Sequence, residues 1–241
     1  MVKEEKSKLE ASINVDEMAK LGVQFGHQTF RIHPKMKIYL AGSRNGIHLI
    51  DLNKTAEKLN EALKFIYDAI VSGKVLLLVG TKIQFKDLVE STAKECGLPY
   101  VSERWLGGTF TNFETMRKRI QLFKDIEKKK KEGGLEKYTK KERAKIDKDL
   151  LEYEIKFGGI KDLEKLPDII LVLDMKKDEI ATKEAKMKGV KIIGISHTNT
   201  NPDLADYPIP ANDDARSSVG YILKIAKEVI LDAKQKTKVQ K

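Results

Sequence analysis

Apolar residues recur along this chain at two spacings, and the two alternate. Short unbroken runs at His48–Leu52, Val75–Val79, Tyr100–Val101, Ile169–Leu173 and Val190–Ile195 predict strands. Most are rich in leucine and β-branched residues and lack polar alternation, as strands buried on both faces do. Elsewhere the apolar positions step by three and four residues. Ala56, Leu59, Leu63, Ile66 and Ile70 predict one helix, and Phe85, Leu88, Val89, Thr92, Ala93 and Cys96 a second. Val219, Ile222, Leu223, Ala226, Val229 and Ile230 place another from Ala215 to about Ala233. Gly73, Gly97 and Gly189 each follow a helical stretch and precede a strand, where a left-handed residue closes a helix. Alternating strands and helices predict an α/β fold, a mostly parallel sheet with helices on both faces.

The alternation breaks between Thr111 and Phe157, which carry two helical patterns and no strand. Thr111 with Glu114, and Thr139 with Glu142, have the spacing of a capping box. Phe113, Met116, Ile120 and Phe123 form one narrow stripe; Ile146, Leu150, Tyr153 and Phe157 form the other. Gly133 and Gly134 lie in the intervening turn, Glu132–Tyr138. Two thin stripes joined by a turn predict an inserted coiled-coil helical hairpin, an arm projecting from the sheet domain. The expected organisation is a discontinuous sheet domain (1–110 and 158–233), an arm (111–157) and a disordered basic tail (234–241).

Charge adds a partner class. Lys and Arg number 46 against 36 Asp and Glu, a net of +10. Between Arg117 and Lys148 there are 14 basic and 6 acidic residues, so the arm holds most of the excess. A basic projection suits a phosphate backbone. The single cysteine, Cys96, excludes an internal disulfide and sits on an apolar stripe, as in a reducing cytosol. The first twelve residues lack an apolar signal core, and no apolar run approaches the ~20 residues of a membrane span. A cytoplasmic protein is expected.

Catalytic patterns are incomplete. Gly80-Thr81-Lys82 follows a strand and offers a glycine and a lysine to a phosphate, but neither G-x-x-x-x-G-K-[ST] nor G-x-G-x-x-G occurs. Gly194-Ile195-Ser196-His197 fails as a nucleophile elbow because Thr198 stands where glycine is needed. Asp213-Asp214 precede the last helix, where acids offset its partial positive charge. His197 with Asp203 is the best metal pair, and it is only a pair. No cofactor is expected. The rival to a non-catalytic role is an α/β enzyme binding a phosphorylated ligand through the Gly80–Lys82 loop.

Six strings carry a resemblance: Phe25–Thr29 with His33–Lys37, Ser43–Leu52, Arg104–Thr109, Thr111–Phe113, Gly158–Leu163 and Tyr207–Ala215. From about Val15 to Leu231 the chain resembles the bacterial small-subunit ribosomal protein S-two family. The resemblance implies a flavodoxin-like α/β domain with a coiled-coil arm and a structural role bound to small-subunit rRNA between head and body. It also implies help in recruiting ribosomal protein S-one for translation. Two departures stand out: His197-Thr198-Asn199 replaces the family's Asp-Thr-Asn, and Ala211 replaces a glycine.

The RNA-binding candidates are therefore cations and their neighbours. Lys35, Lys37, Arg44 and Asn45 lie in a loop-rich segment, and Lys82 in the loop after its strand. Arg104 and Trp105 stand at the root of the arm, where Trp105 either stacks on a base or packs the joint. Arg117, Lys118, Arg119, Lys128, Lys129, Lys130 and Lys131 lie along the arm.

Overall fold

The computed structural model describes residues 13–132 and 139–239. Five parallel strands form the main sheet, in the order β5-β4-β6-β7-β8. They are β4 (Leu76–Val79), β5 (Tyr100–Val101), β6 (Ile169–Val172), β7 (Lys191–Ser196) and β8 (Tyr207–Pro210). Counted along the chain, this order is 2-1-3-4-5, the flavodoxin-like doubly wound arrangement. β4 and β6 are buried at every residue. Leu76, Leu78, Ile169 and Leu171 enter one core and Leu77, Val79, Ile170 and Val172 the other, as alternation demands. A strand side chain so buried contributes about 1.5–3 kcal/mol.

The first core is closed by α2 (Leu52–Val71), α3 (Lys86–Cys96) and α7 (Arg216–Val239), with α1 (Val15–Lys20) at its margin. Gly73, Gly97 and Gly189 take the positive φ angles expected of them, 76°, 58° and 70°. Residues 234–239 are helical, against the disordered tail expected over 234–241, of which 240 and 241 lie outside the described residues. Lys234 donates to the carbonyls of Cys96 (2.6 Å) and Gly97 (3.0 Å), so it ties α7 to the end of α3.

The second core is closed by α4 (Phe113–Lys131), α5 (Lys140–Phe157) and α6 (Glu179–Met187). α4 and α5 lie antiparallel: Phe123 meets the Tyr153 ring at 6.1 Å and Lys130 pairs with Asp147 at 2.7 Å. Thr139 and Glu142 form the expected capping box. Thr111 and Glu114 do not, because α4 starts after Asn112 without a side-chain cap. The turn at 133–138 lies outside the described residues. The hairpin does not stand clear of the sheet along its whole length. Met116, Ile120, Phe123, Leu150 and Phe157 are buried with Trp105 and Phe110 in the second core.

A second sheet stands where the sequence predicts only loop and one strand. β1 (Phe25–Gln28), β3 (Ile47–Ile50) and β2 (Leu40–Arg44) pair antiparallel in that spatial order. The predicted run His48–Leu52 is thus β3, outside the parallel sheet, and Leu52 opens α2. The fifth parallel strand is β8.

Candidate nucleic-acid interface

The topological switch point of the parallel sheet lies between β4 and β6, where open α/β sheets take ligands. Here it is filled from within. Lys82 Nζ lies 2.6 Å from an Asp174 carboxylate oxygen, 3.1 Å from Asp213 and 2.9 Å from Asp214. Burial opposes its charge, yet these carboxylates hold its pKa well above the usual lysine range. Thr81 donates its hydroxyl (2.7 Å) and backbone N–H (3.2 Å) to Asp178. A Cβ on Gly80 would stand 2.7 Å from Leu173 Cδ1 and 2.9 Å from Val89, so this glycine serves packing. The lysine and threonine donors that the loop could offer a phosphate already face carboxylates. Lys82 is therefore corrected from RNA contact to internal counter-ion, and the enzyme alternative loses its cradle.

Burial pushes Asp213 up to about 8, helped by repulsion from Asp174 and opposed by Lys82. Burial likewise raises Asp178 to about 6. His197 is buried against His27, their ring centroids 3.8 Å apart, and burial with that neighbour lowers it to about 3. Both imidazoles face Asp214 Oδ2 at 3.8 Å. His197 Nδ1 accepts from the Thr198 N–H (2.7 Å), and His27 Nε2 accepts from the Asn199 amide (2.9 Å). The nitrogens facing Asp214 are then N–H donors, with no lone pair for a cation. Asp203 is elsewhere, paired with Lys35, so the His197–Asp203 metal pair does not form.

Of the two roles expected of Trp105, packing is the one its placement matches, and this residue leaves the RNA-binding candidates. It is buried and meets Phe110 edge-on at 4.8 Å, which makes it packing at the root of the hairpin. The following loop wraps a carboxylate that no sequence motif marks: Glu184 accepts from the N–H groups of Gly108 (2.6 Å), Phe110 (2.8 Å) and Thr111 (3.2 Å). Burial alone would raise Glu184, but these donors hold it below the usual range.

The remaining candidates reach solvent. Lys128, Lys130 and Lys131 are matched by Glu132, Asp147 and Glu127, and Lys35 by Asp203. Arg104, Arg117, Lys118, Arg119 and Lys129 are exposed and have no acidic partner among the described residues, and the same holds for Lys37 and Arg44. Asn45 takes a left-handed φ of 51° beside Gly46 at 75°, the conformation of a tight hairpin between β2 and β3. It holds Arg44 at the sheet's tip. Arg31, exposed nearby, is a cation that the sequence candidates omit. Residues 21–50 contain four basic residues and no acid, a count that the sequence alone supplies.

Two cationic surfaces on a flavodoxin-like sheet with a helical hairpin suit the comparisons. The family model described as ribosomal protein S2 matches residues 18–233. That decides the family.

This chain belongs to the ribosomal protein S2 family.

Among its relatives, the small ribosomal subunit protein uS2 of Dictyoglomus thermophilum is 45% identical over 93% of this chain and 91% of its own length. That of Geotalea uraniireducens is 43% identical over 93% and 88%, and that of Coprothermobacter proteolyticus 41% over 93% and 84%. S2-family strings acquire physical reasons here. Gly159 packs where a Cβ would lie 2.2 Å from the Tyr100 carbonyl oxygen, so no side chain fits. The backbone N–H of His27 donates to Thr198 Oγ1 (2.9 Å) and that of His33 to the Thr198 carbonyl (2.8 Å), which seats the small sheet on the end of β7.

Proposed function

We propose that this chain is a non-catalytic structural constituent of the small ribosomal subunit that binds its rRNA through two cationic faces. One is the hairpin with Arg104, Arg117, Lys118, Arg119 and Lys129; the other is the antiparallel sheet with Lys37, Arg44 and Asn45. The supporting observation is that these cations carry no acidic partner among the described residues, while the sheet's ligand crevice is closed by its own ion pairs. Unmatched surface cations bind phosphates by releasing counter-ions, without base specificity. In this reading the sheet domain (1–110 and 158–233) sits between head and body in the cytoplasmic ribosome, the hairpin (111–157) reaches along rRNA, and ribosomal protein S-one, where present, gains a tether.

The test is cosedimentation with small subunits stripped of their own S2-family protein. Stoichiometric binding that survives a moderate salt wash is expected, with improved retention of S-one. A chain left in the supernatant at physiological salt would overturn the proposal.

A further inference from the structure

The antiparallel sheet carries more than charge. A shallow open recess of about 260 Å³ lies at its junction with the start of α7, lined by Gly26, His27, Gln28, Arg31, Ile47 and Asp214. Its components differ in chemistry. Ile47, 37% exposed, offers an apolar wall. Gln28 offers an amide that both donates and accepts. Asp214 turns one carboxylate oxygen to Lys82 and keeps the other towards His27, His197 and the recess, with over half the side chain exposed. At the rim, Phe30 is 75% exposed and the Arg31 guanidinium lies 5.5 Å over its ring. The Thr29 N–H donates to the Gly46 carbonyl (2.9 Å), so this rim lies against the β2–β3 turn that carries Arg44.

We infer that this recess takes one unstacked nucleobase of RNA, a base that carries an exocyclic amino group. The inference rests on the RNA-binding reading above and names a site within it. An exposed arginine backed by an aromatic ring is a planar surface on which a flipped-out base stacks. Ile47 supplies the opposite apolar contact. Asp214 Oδ2, which the His27 and His197 rings face at 3.8 Å, too far for a full hydrogen bond, accepts from the amino group of adenine, cytosine or guanine. Uracil has no amino group, and its one N3–H donor lies between two carbonyl oxygens that the carboxylate repels. The acid-free stretch 21–50, with Arg44 and Lys37 exposed, gives the flanking phosphates their counter-charge. A free nucleotide lacks those flanking phosphates and binds far more weakly than an oligonucleotide.

The experiment uses the full chain and short oligouridylates with or without one central adenosine or cytidine, in fluorescence anisotropy at physiological salt. The central base bears a photoreactive group in a parallel cross-linking arm. The wild type should prefer the amino-bearing oligonucleotides about tenfold, and cross-links should map to 26–31 or to Ile47. Arg31→Ala and Gln28→Ala, both at exposed positions, should each erase most of that preference. Asp214→Asn should abolish it, and retained cooperative melting will show that the fold survives. Cross-links confined to the hairpin, or equal affinity for all sequences in every variant, would overturn the base site but leave RNA binding intact. No affinity for any RNA, small-subunit rRNA included, would overturn both readings.

Discussion

His197 is a residue whose chemistry departs far from its solution behaviour. Its usual pKa of 6.5 falls to about 3 in the fold, so the unfolded chain binds a proton that the folded chain refuses between those values. Its contribution is complete above pH 6.5 and is lost as pH falls towards 3, by about 1.4 kcal/mol per pH unit. Raised Asp213 and Asp178 act in the opposite sense over part of that range, so the comparison must be with a variant. His197→Asn keeps an acceptor for the Thr198 N–H. In urea unfolding, wild type should lose stability relative to this variant between pH 6.5 and 4; parallel profiles would refute the assignment. Lys82→Ala leaves Asp174 and Asp213 buried without their counter-ion, and should cost about 3–5 kcal/mol. Trp105→Ala should cost a similar amount, about 3–5 kcal/mol, through the cavity beside Phe110. Trp105→Ala should leave RNA affinity unchanged in molecules that remain folded. Both side chains have types that suit RNA contact, and sequence cannot tell an exposed lysine or tryptophan from one whose partners arrive from distant parts of the chain.

At the scale of elements, the hairpin behaves differently from a detachable arm. Its stripes were legible because buried positions recur at three and four residues, and Met116, Ile120, Phe123, Leu150 and Phe157 do face inward. What they face was not legible: they share a core with β4 and β6. Removing five such side chains at about 2–5 kcal/mol each exceeds a typical folding stability of about 5–15 kcal/mol. Replacing Thr111–Phe157 by a Gly/Ser linker should therefore abolish cooperative melting, whereas replacing only 128–145 should leave the melting temperature within a few degrees. A full deletion that still melts cooperatively would show that the hairpin is dispensable to the core. β8 is hard to read from sequence for a physical reason too. Pro208 and Pro210 argue against a strand, yet β8 is a sheet edge, where a missing N–H costs nothing on the open side. β1 and β2 lack apolar runs because most of their residues are exposed or half-buried, and only Asn45-Gly46 marks their hairpin.

Over the whole molecule, the α/β class was legible because doubly buried strands and amphipathic helices have unmistakable periods. Charge was legible only in total. The net of +10 does not say which cations are free, and the fold divides them: Lys82 turns inward, Lys128, Lys130 and Lys131 meet acids, and Arg117, Lys118, Arg119 and Lys129 do not. The central claim is that these unmatched cations lie on rRNA phosphates. Its most direct measurement is the salt dependence of affinity for small-subunit rRNA, in wild type and in a variant with all four changed to Gln. The log–log slope should become shallower by about 0.7–0.9 for each phosphate that the variant no longer neutralises, so by about 3 in total, with an unchanged melting curve. A slope that does not move would contradict the account and leave the antiparallel sheet as the principal RNA-binding face.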